Sequence, residues 1–306
     1  GAMTFRPHLI WALAAVLLAG CGGEPADPAG AADAGPATGQ GDAGDPVDDA
    51  AEAAEAVAPA PADPDLVAQE GFRAAVFHEG VGAGARHLVV RDNGDVLVAL
   101  RSGSLVALRD EDGDGRADRT ESRSLAITTG IALHDGHLYF SDDVSVHRLP
   151  LGDTLMPAGE PELVAGGFPQ QGSHAAKTIA FDSDGNLYVN VGAPSNACQV
   201  ESRTPGSPGQ QPCPQLERQA AIWKFPAGAL GLDQSDGERY VTGTRNVIAM
   251  DWNTDAGALF FAMHGRDQLN TLWPEHFDDE DNAEMPAEEF HRADAGADYG
   301  WPYTFY

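Results

Sequence analysis

One turn pattern recurs four times between residues 87 and 261 and restricts the fold more than any other feature of this chain. Each copy joins an apolar run, a turn built on Asp or Asn and Gly, and a second run in which apolar residues alternate with others. The turn glycines are Gly94, Gly136, Gly185 and, in a looser copy, Gly257. An Asx-Gly turn between alternating apolar runs is a strong β-hairpin signal, because the turn needs residues with positive φ. The pattern therefore predicts an all-β chain.

The spacing of these hairpins favours a β-propeller over a β-sandwich. The turn glycines lie 42, 49 and 72 residues apart. Such intervals fit four-stranded blades with loops in the wider gaps, whereas a sandwich has shorter and more even spacing. The roughly 240 residues after residue 66 supply about four blades, and closed propellers of this kind usually have about six. We expect an incomplete propeller of the six-bladed type; a four-bladed ring and an open fragment are the alternatives.

The first 20 residues have the features of a bacterial lipoprotein signal peptide. Arg6 precedes an apolar run from Leu9 to Gly20, which is shorter than the ~20 residues that span a bilayer. The run ends at Cys21 in the sequence Leu-Ala-Gly-Cys, which resembles a lipobox, so we expect acylation of the Cys21 thiol. Acyl chains anchor a protein stably when there are two or more. Gly22 follows the cysteine where inner-membrane retention needs Asp, which predicts the periplasmic face of the outer membrane.

Residues 21–65 are predicted to form a lipid-anchored, disordered linker, and residues 66–306 the folded domain. The linker consists almost entirely of Ala, Pro, Gly, Asp and Glu and has no Lys, Arg or aromatic residue. A segment of this composition cannot bury enough apolar surface to offset the entropy lost on ordering.

The charge of the chain excludes nucleic acid as a partner. Lys plus Arg number 18 against 47 Asp plus Glu, which gives a formal net charge of −29. Such a surface repels phosphate and offers no basic groove to hold it.

One acidic segment matches the calcium-loop pattern D-x-D-x-D-G-x5-E. Its candidate metal ligands are Asp110, Asp112, Asp114, Asp118 and Glu121. Carboxylates at alternate positions can surround a Ca2+ ion, which takes six to eight oxygen ligands. The flanking residues have strand patterns rather than EF-hand helices, so the ion would staple a hairpin. The alternative is an acidic surface turn without a metal.

Two cysteines, Cys198 and Cys213, bracket a loop rich in Pro, Gly and Gln. Export would place them in an oxidising compartment, which favours a disulfide over free thiols. No third or fourth soft ligand lies nearby in the sequence, so a metal site is not expected. The loop 199–212 is a candidate rim of the substrate mouth.

Four further segments occur in the order found in one enzyme family: 172–192, 242–250, 264–267 and 297–302. The most specific of them are the strand that follows His174 and the element Tyr299-Gly-Trp301-Pro. Over residues 68–306 the chain resembles the soluble glucose dehydrogenase and sorbosone dehydrogenase family. That resemblance implies a six-bladed propeller that uses pyrroloquinoline quinone (PQQ). The residues after His174, Ala-Ala-Lys-Thr, are closer to sorbosone-type relatives, because glucose dehydrogenases have a Gly-Arg pair there.

The resemblance also implies roles for individual residues. His174 would be the general base, Arg245 and Asn246 would bind the cofactor, and Tyr299 and Trp301 would cover its flat face. A Ca2+ ion distinct from that of the acidic turn would polarise the cofactor. Each residue also has a structural interpretation: a hydrogen-bonded histidine, an arginine paired with a carboxylate, and Trp301 as part of the core.

Three classes of function are compatible with these patterns. The leading one is a membrane-tethered quinoprotein dehydrogenase that oxidises a sugar, aldose or related alcohol or aldehyde and passes electrons to a respiratory acceptor. The second is a calcium-dependent hydrolase of the lactonase type, to which Asp182, Asp251 and Asp267 could contribute ligands. The third is a non-catalytic propeller that binds a partner or a glycan.

Overall fold

The computed structural model describes residues 61–63, 66–226, 228–285 and 288–304. These ranges include most of the predicted domain, 66–306. The predicted signal peptide (1–20), the lipidation site Cys21 and all of the predicted linker apart from residues 61–63 lie outside the described residues.

β-Strands dominate this part of the chain. They are β1 (Ala85–Val90), β2 (Val96–Leu100), β3 (Ser104–Arg109), β4 (Arg119–Ser124), β5 (Ile131–His134), β6 (His137–Ser141), β7 (Val146–Pro150), β8 (Glu162–Gly166), β9 (Ile179–Phe181), β10 (Leu187–Val191), β11 (Ala221–Phe225), β12 (Leu232–Asp233), β13 (Glu238–Thr242), β14 (Val247–Asn253), β15 (Ala258–Met263) and β16 (Glu289–Ala293). The helical segments are two 3₁₀ turns, Pro214–Glu217 and Gln234–Asp236, and the short helices α1 (Leu269–Leu272) and α2 (Asp279–Glu284).

The strands form four sheets in chain order, and each sheet is one propeller blade. Blade 1 has the order β1-β2-β3-β4, blade 2 the order β5-β6-β7-β8, blade 3 the order β9-β10-β11-β13, and blade 4 the order β14-β15-β16. The short strand β12 adds in parallel to β8 at the edge of blade 2. The predicted all-β propeller with about four blades is thus confirmed.

Each recurring Asx-Gly turn joins the first two strands of a blade. The turns at Gly94, Gly136, Gly185 and Gly257 connect β1 to β2, β5 to β6, β9 to β10 and β14 to β15. Gly94 has a φ of 89°, in the region that favours glycine. The first strands of successive blades, β1, β5, β9 and β14, contact one another and so form the inner edge of the propeller.

The hydrophobic core lies between blades, because side chains alternate along each strand. On β10, Leu187 and Val189 pack against blade 2, whereas Tyr188 packs against blade 4. Blades 1 and 2 are joined in the same way by a cluster that includes Leu97 and Phe140. Full burial of such a side chain stabilises the fold by roughly 1.5–3 kcal/mol. These interfaces fix the inner strands and the loops between them.

Within the described part of the chain, no helix combines the length and the apolarity of a segment that crosses a bilayer.

Candidate active site

A cavity of about 470 Å³ lies at the inner edge of the propeller and receives residues from all four blades. Its size is typical of sites for small molecules. Of the predicted site residues, His174 and Asn246 line this cavity. Other polar residues in the lining are Arg86 and Arg101 of blade 1, Thr129 and Asp143 of blade 2, and Gln171 of blade 3.

His174 lies in the turn before β9 and has a left-handed backbone, with φ 53°. Its Nδ1 is 2.7 Å from the carbonyl oxygen of Ala193. Because a carbonyl oxygen can only accept, Nδ1 carries the proton of the neutral ring and Nε2 is the basic nitrogen. Burial, and after it the positive charge of Arg245, lowers the pKa of His174 to about 4. The imidazole is therefore neutral at pH 7, as a general base must be.

Gln171 and Gly192 hold the turn that carries His174. The Nε2 of Gln171 is 2.8 Å from the carbonyl oxygen of Ser173 and 3.0 Å from those of His174 and Gly192. Its Oε1 accepts a hydrogen bond of 2.9 Å from Gln219. A Cβ at residue 192 would approach the His174 backbone oxygen and Cβ to 2.8 Å, so the turn requires glycine there. These contacts stabilise a backbone conformation that a non-glycine residue rarely adopts.

Behind His174, Arg245 belongs to a polar network centred on Asn196, in which Arg245 and Asn196 are buried and Arg203 and Asp267 are partly exposed. Arg245 is 3% exposed, and its Nη2 donates to Oδ1 of Asn196 at 2.9 Å. The same guanidinium is 3.5 Å from the carboxylate of Asp267, which also receives two hydrogen bonds from Arg203, at 2.5 and 3.1 Å. Burial raises the pKa of Asp267, but the hydrogen bond from Arg203 and the charge of Arg245 outweigh it, so this pKa lies below its usual value. The carboxylate thus stays charged between the two arginines.

The resemblance assigns Arg245 and Asn246 together to cofactor binding, but in the structure their side chains lie in different places. Asn246 lines the cavity, but Arg245 does not. The Arg245 guanidinium is held by Asn196 and Asp267 instead, in agreement with the alternative of an arginine paired with a carboxylate. Burial and, after it, the positive charge of Arg245 lower the pKa of His174, and the role of Arg245 in binding the cofactor stays a prediction.

Tyr299 and Trp301 also lie outside the lining, and their contact with the flat face of a cofactor stays a prediction. Trp301 is 3% exposed, packs on the Cys198–Cys213 disulfide, and donates from Nε1 to the Asn196 carbonyl oxygen at 2.9 Å. Tyr299 packs edge-on against Phe261 within blade 4. Trp301 is in the core, in agreement with the structural interpretation of the sequence, and Tyr299 is partly buried against the core cluster of blades 3 and 4.

The disulfide between Cys198 and Cys213 forms as predicted, with a Cα–Cα distance of 6.2 Å. The loop that the disulfide closes carries Arg203. The Arg203 guanidinium forms an ion pair with Asp267, which follows β15 in the chain. The loop therefore contributes a charge to the network behind His174. Its role as the rim of a substrate mouth stays a prediction.

The acidic turn joins β3 and β4, so the strands predicted on its two sides are confirmed. Carboxylate oxygens of Asp110, Asp112 and Asp118 lie within 4.8 Å of one another, a geometry that a metal ion could bridge. The other two predicted ligands are outside this group. Asp114 accepts from the backbone N–H of Arg116, and Glu121 pairs with Arg119 at 2.5 Å. A Ca2+ site here thus has three of the five predicted carboxylates in place.

Several residues of this site were not assigned from the sequence: Arg86, Arg101, Thr129, Asp143, Gln171, Asn196 and Arg203. Arg203 carried a weak signal, since it is the one cation in the disulfide loop 199–212. Gln171 and Asn196 carried none, because a buried amide has no sequence pattern of its own. Asp267 was noted as part of the segment 264–267 and as a possible ligand of the hydrolase alternative, but not as a partner of Arg203 or Arg245.

The carboxylates proposed for a calcium-dependent hydrolase do not converge. Asp182 caps its own hairpin turn through Asn186, and Asp267 pairs with Arg203. Among the described residues, the one group of three or more side chains suited to a metal ion is the acidic turn. Since Asp143 is the single carboxylate in the cavity lining, the described residues also offer no carboxylate cage for a Ca2+ ion beside a cofactor.

Solved structures share this propeller fold. One is the holo form of the PQQ domain of pyranose dehydrogenase from Coprinopsis cinerea, with a TM-score of 0.56 and 18% identity over 69% of this chain and 51% of that one. Another is the calcium structure of a carbohydrate-active enzyme of family AA12 from Trichoderma reesei, with a TM-score of 0.61 and 18% identity over 81% of this chain and 61% of that one. The chain thus spans about half to three fifths of their lengths. Among curated protein sequences, none matches it.

A sequence model of a single family covers nearly the whole of the predicted folded domain. The match extends over residues 66–305 and so includes all four blades, the cavity and the network behind His174. The chain therefore belongs to the TrAA12-like family.

Proposed function

We propose that the cavity binds PQQ and that the protein is a dehydrogenase that oxidises a CH–OH group of a sugar, aldose or related alcohol or aldehyde. The observation that carries this proposal is a neutral histidine, His174, in the lining of a ligand-sized cavity, with Nε2 as its basic nitrogen. The family adds support, as does the Coprinopsis neighbour, which is described as the holo form of a PQQ domain.

His174 acts as the base in this proposal. PQQ, when bound, supplies a two-electron acceptor for the hydride that leaves the substrate carbon. His174 takes the hydroxyl proton at Nε2 while its Nδ1–H stays on the carbonyl oxygen of Ala193. The resulting imidazolium is disfavoured by Arg245 and favoured by Asp267, so the network sets how readily the proton is released again.

The described lining suits a flat, polar cofactor. Ala175, Ala176 and Val247 present small apolar groups against which a planar ring can pack. Asn246 adds an amide. The hydroxyl of Thr129 is buried and has no hydrogen-bond partner among the described residues, which leaves it available to a ligand. These residues would contact the ring of the cofactor by packing and neutral hydrogen bonds.

We extend the proposal to the location of the enzyme. Acylation of Cys21 would anchor it to the periplasmic face of the outer membrane, and its electrons would pass to a respiratory acceptor. Cys21→Ala should move the protein from the membrane to the soluble fraction of the cell envelope. An unchanged membrane fraction in that variant would contradict the anchor.

The first experiment is a calorimetric titration of PQQ into the full chain, followed by assays of sugar-dependent dye reduction. We expect a Kd in the micromolar range or tighter. His174→Gln should retain PQQ binding and lose turnover by a factor of about 10²–10⁴, the usual contribution of a general base. His276→Gln, whose side chain is 68% exposed, is the matched control and should change neither quantity. Absence of PQQ binding would overturn the dehydrogenase and favour a propeller that only binds a partner or glycan.

A further inference from the structure

The cavity lining has the opposite charge balance to the chain as a whole. Asp and Glu outnumber Lys and Arg by 47 to 18 in the sequence. In the lining, two arginines, Arg86 and Arg101, stand against one carboxylate, Asp143. A cationic recess raises the local concentration of anionic ligands, even in a protein whose net charge is negative.

The backbone of blade 1 directs Arg86 toward this recess. The pairing of β1 with β2 is irregular between Ala85 and His87, so Arg86 is the extra residue of a β-bulge. Successive residues of a regular strand face opposite sides, yet Arg86 and His87 both line the cavity. Bulges commonly re-aim a side chain in this way beside binding sites.

Arg101 is brought next to the bulge by a close backbone contact. Its N–H donates to the carbonyl oxygen of Gly84 at 3.0 Å. Gly84 has a φ of 84°, and a Cβ there would lie 3.4 Å from the Cβ of Arg101. The end of β2 and the start of β1 thus present two guanidinium groups on the same wall of the cavity.

Neither arginine is engaged by another side chain among the described residues. Other arginines of blade 1, such as Arg109 and Arg119, pair with carboxylates. Arg86 and Arg101 form no ion pair or side-chain hydrogen bond within the described part of the chain. A guanidinium offers a planar fork of donors that matches a carboxylate in two places. Two such groups on one wall therefore have the chemistry of a carboxylate subsite.

We propose that Arg86 and Arg101 bind the carboxylate of the substrate, and that the substrate is a sugar acid such as a uronic acid. The acid group would lie on blade 1, and the CH–OH group to be oxidised would face His174 on blade 3. This inference rests on the proposed function for the reaction, but the carboxylate subsite can be tested without turnover.

The test compares glucuronate with glucose, its neutral counterpart, on the full chain without cofactor. Calorimetry should show glucuronate binding that weakens about tenfold or more in Arg86→Gln/Arg101→Gln, because hydrogen bonds to a charged group are lost. Arg116→Gln is the control: it removes an exposed charge from the same blade, at the acidic turn, and should leave the affinity unchanged. Equal affinity of the double variant and the wild type for glucuronate would overturn the subsite.

The carboxylate that the arginines bind could belong to the substrate or to PQQ itself. Titration of PQQ into the same variants distinguishes these two cases. Unchanged PQQ affinity in the double variant, with weakened glucuronate binding, supports a substrate subsite. Loss of PQQ affinity with no effect on glucuronate would show that the arginines hold the cofactor, which overturns the inference.

Kinetics of the PQQ-loaded protein distinguish failure of the inference from failure of the proposed function. Arginine-dependent glucuronate binding without oxidation of any sugar would retain the subsite and reject the dehydrogenase. Oxidation of glucose and glucuronate with equal kcat/KM, unchanged in the double variant, would retain the dehydrogenase and reject the subsite.

Discussion

The acidic turn of blade 1 and the arginine network behind His174 both consist of carboxylates and their hydrogen-bond donors, but they are built over very different distances along the chain. In the turn, Asp110 accepts from residues three and five positions away, and Asp118 from a residue seven positions away. In the network, Arg245 reaches Asn196 across 49 positions, and Arg203 reaches Asp267 across 64. The contacts of the turn form within a single hairpin, whereas the contacts of the network form only when blades 3 and 4 pack together.

The two regions also differ in burial, which changes the weight of each contact. Asn196 is fully buried and Arg245 is 3% exposed, while Asp112 and Asp118 face solvent. A buried polar group that loses its partner costs about 1–3 kcal/mol, and more when it is charged. Exposed ion pairs contribute about 0–1 kcal/mol. We therefore expect substitutions of the buried members of the network, Arg245 and Asn196, to affect stability strongly, and substitutions in the turn to have little effect unless a metal ion is present.

The largest effect is expected from Arg245→Leu. The substitution removes the guanidinium that donates to Oδ1 of Asn196 and takes away one of the two cations beside Asp267, which should lower the free energy of unfolding by about 3 kcal/mol. Urea denaturation measures it. Arg116→Leu, in the acidic turn, is the matched control and should have no measurable effect. Equal stabilities of the two variants would contradict the energetic difference between the regions.

The second effect is a pH dependence of the free energy of unfolding that arises from protonation of His174. Its pKa is about 4 in the folded protein against 6.5 for the unperturbed group, so the unfolded chain binds this proton more tightly. Stability should therefore fall as the pH is lowered from about 6.5 toward 4, by up to about 3 kcal/mol. His174→Gln should remove this part of the slope, and Asp112→Asn in the turn should leave it intact. A slope that is the same in wild type and His174→Gln would show that the histidine is not held neutral.

A smaller loss is expected from Gln171→Leu, which has a similar volume but no donor for the carbonyl groups around the His174 turn. The free energy of unfolding should fall by about 2 kcal/mol, and amide hydrogen exchange should increase in residues 172–176. Gln170→Leu changes the exposed neighbouring residue and serves as the control. If exchange in the turn is unchanged, Gln171 does not position His174.

The smallest effect is expected from Ca2+ at the acidic turn. If Asp110, Asp112 and Asp118 hold the ion, millimolar Ca2+ should raise the Tm by about 2–4 °C, through preferential binding to the folded state. Asp112→Asn should abolish the shift, whereas Asp153→Asn, in a different turn, should retain it. A shift that persists in Asp112→Asn would place the ion elsewhere.

Local patterns predicted much of the fold and part of the site. The turns at Gly94 and Gly136 were identifiable because an Asx-Gly hairpin is specified by the residues of the turn itself. The disulfide followed from two cysteines in a chain expected to be exported, whereas His174 was singled out by the family resemblance of the strand that follows it. The sequence left two interpretations open for Arg245 and Trp301, since a motif shows which residue is present but not which way its side chain faces.

The sequence alone determined an acidic chain of repeated hairpins, because hairpin formation depends on residues within about ten positions of one another. Only the tertiary structure decided that Arg245 faces Asn196, that Trp301 packs on the disulfide, and that Arg86 and Arg101 share one wall of a cavity. Those outcomes depend on contacts between blades, across tens of residues of chain. The physical reason is that a buried polar or aromatic side chain takes the partner that packing provides, and packing is fixed only when the blades assemble.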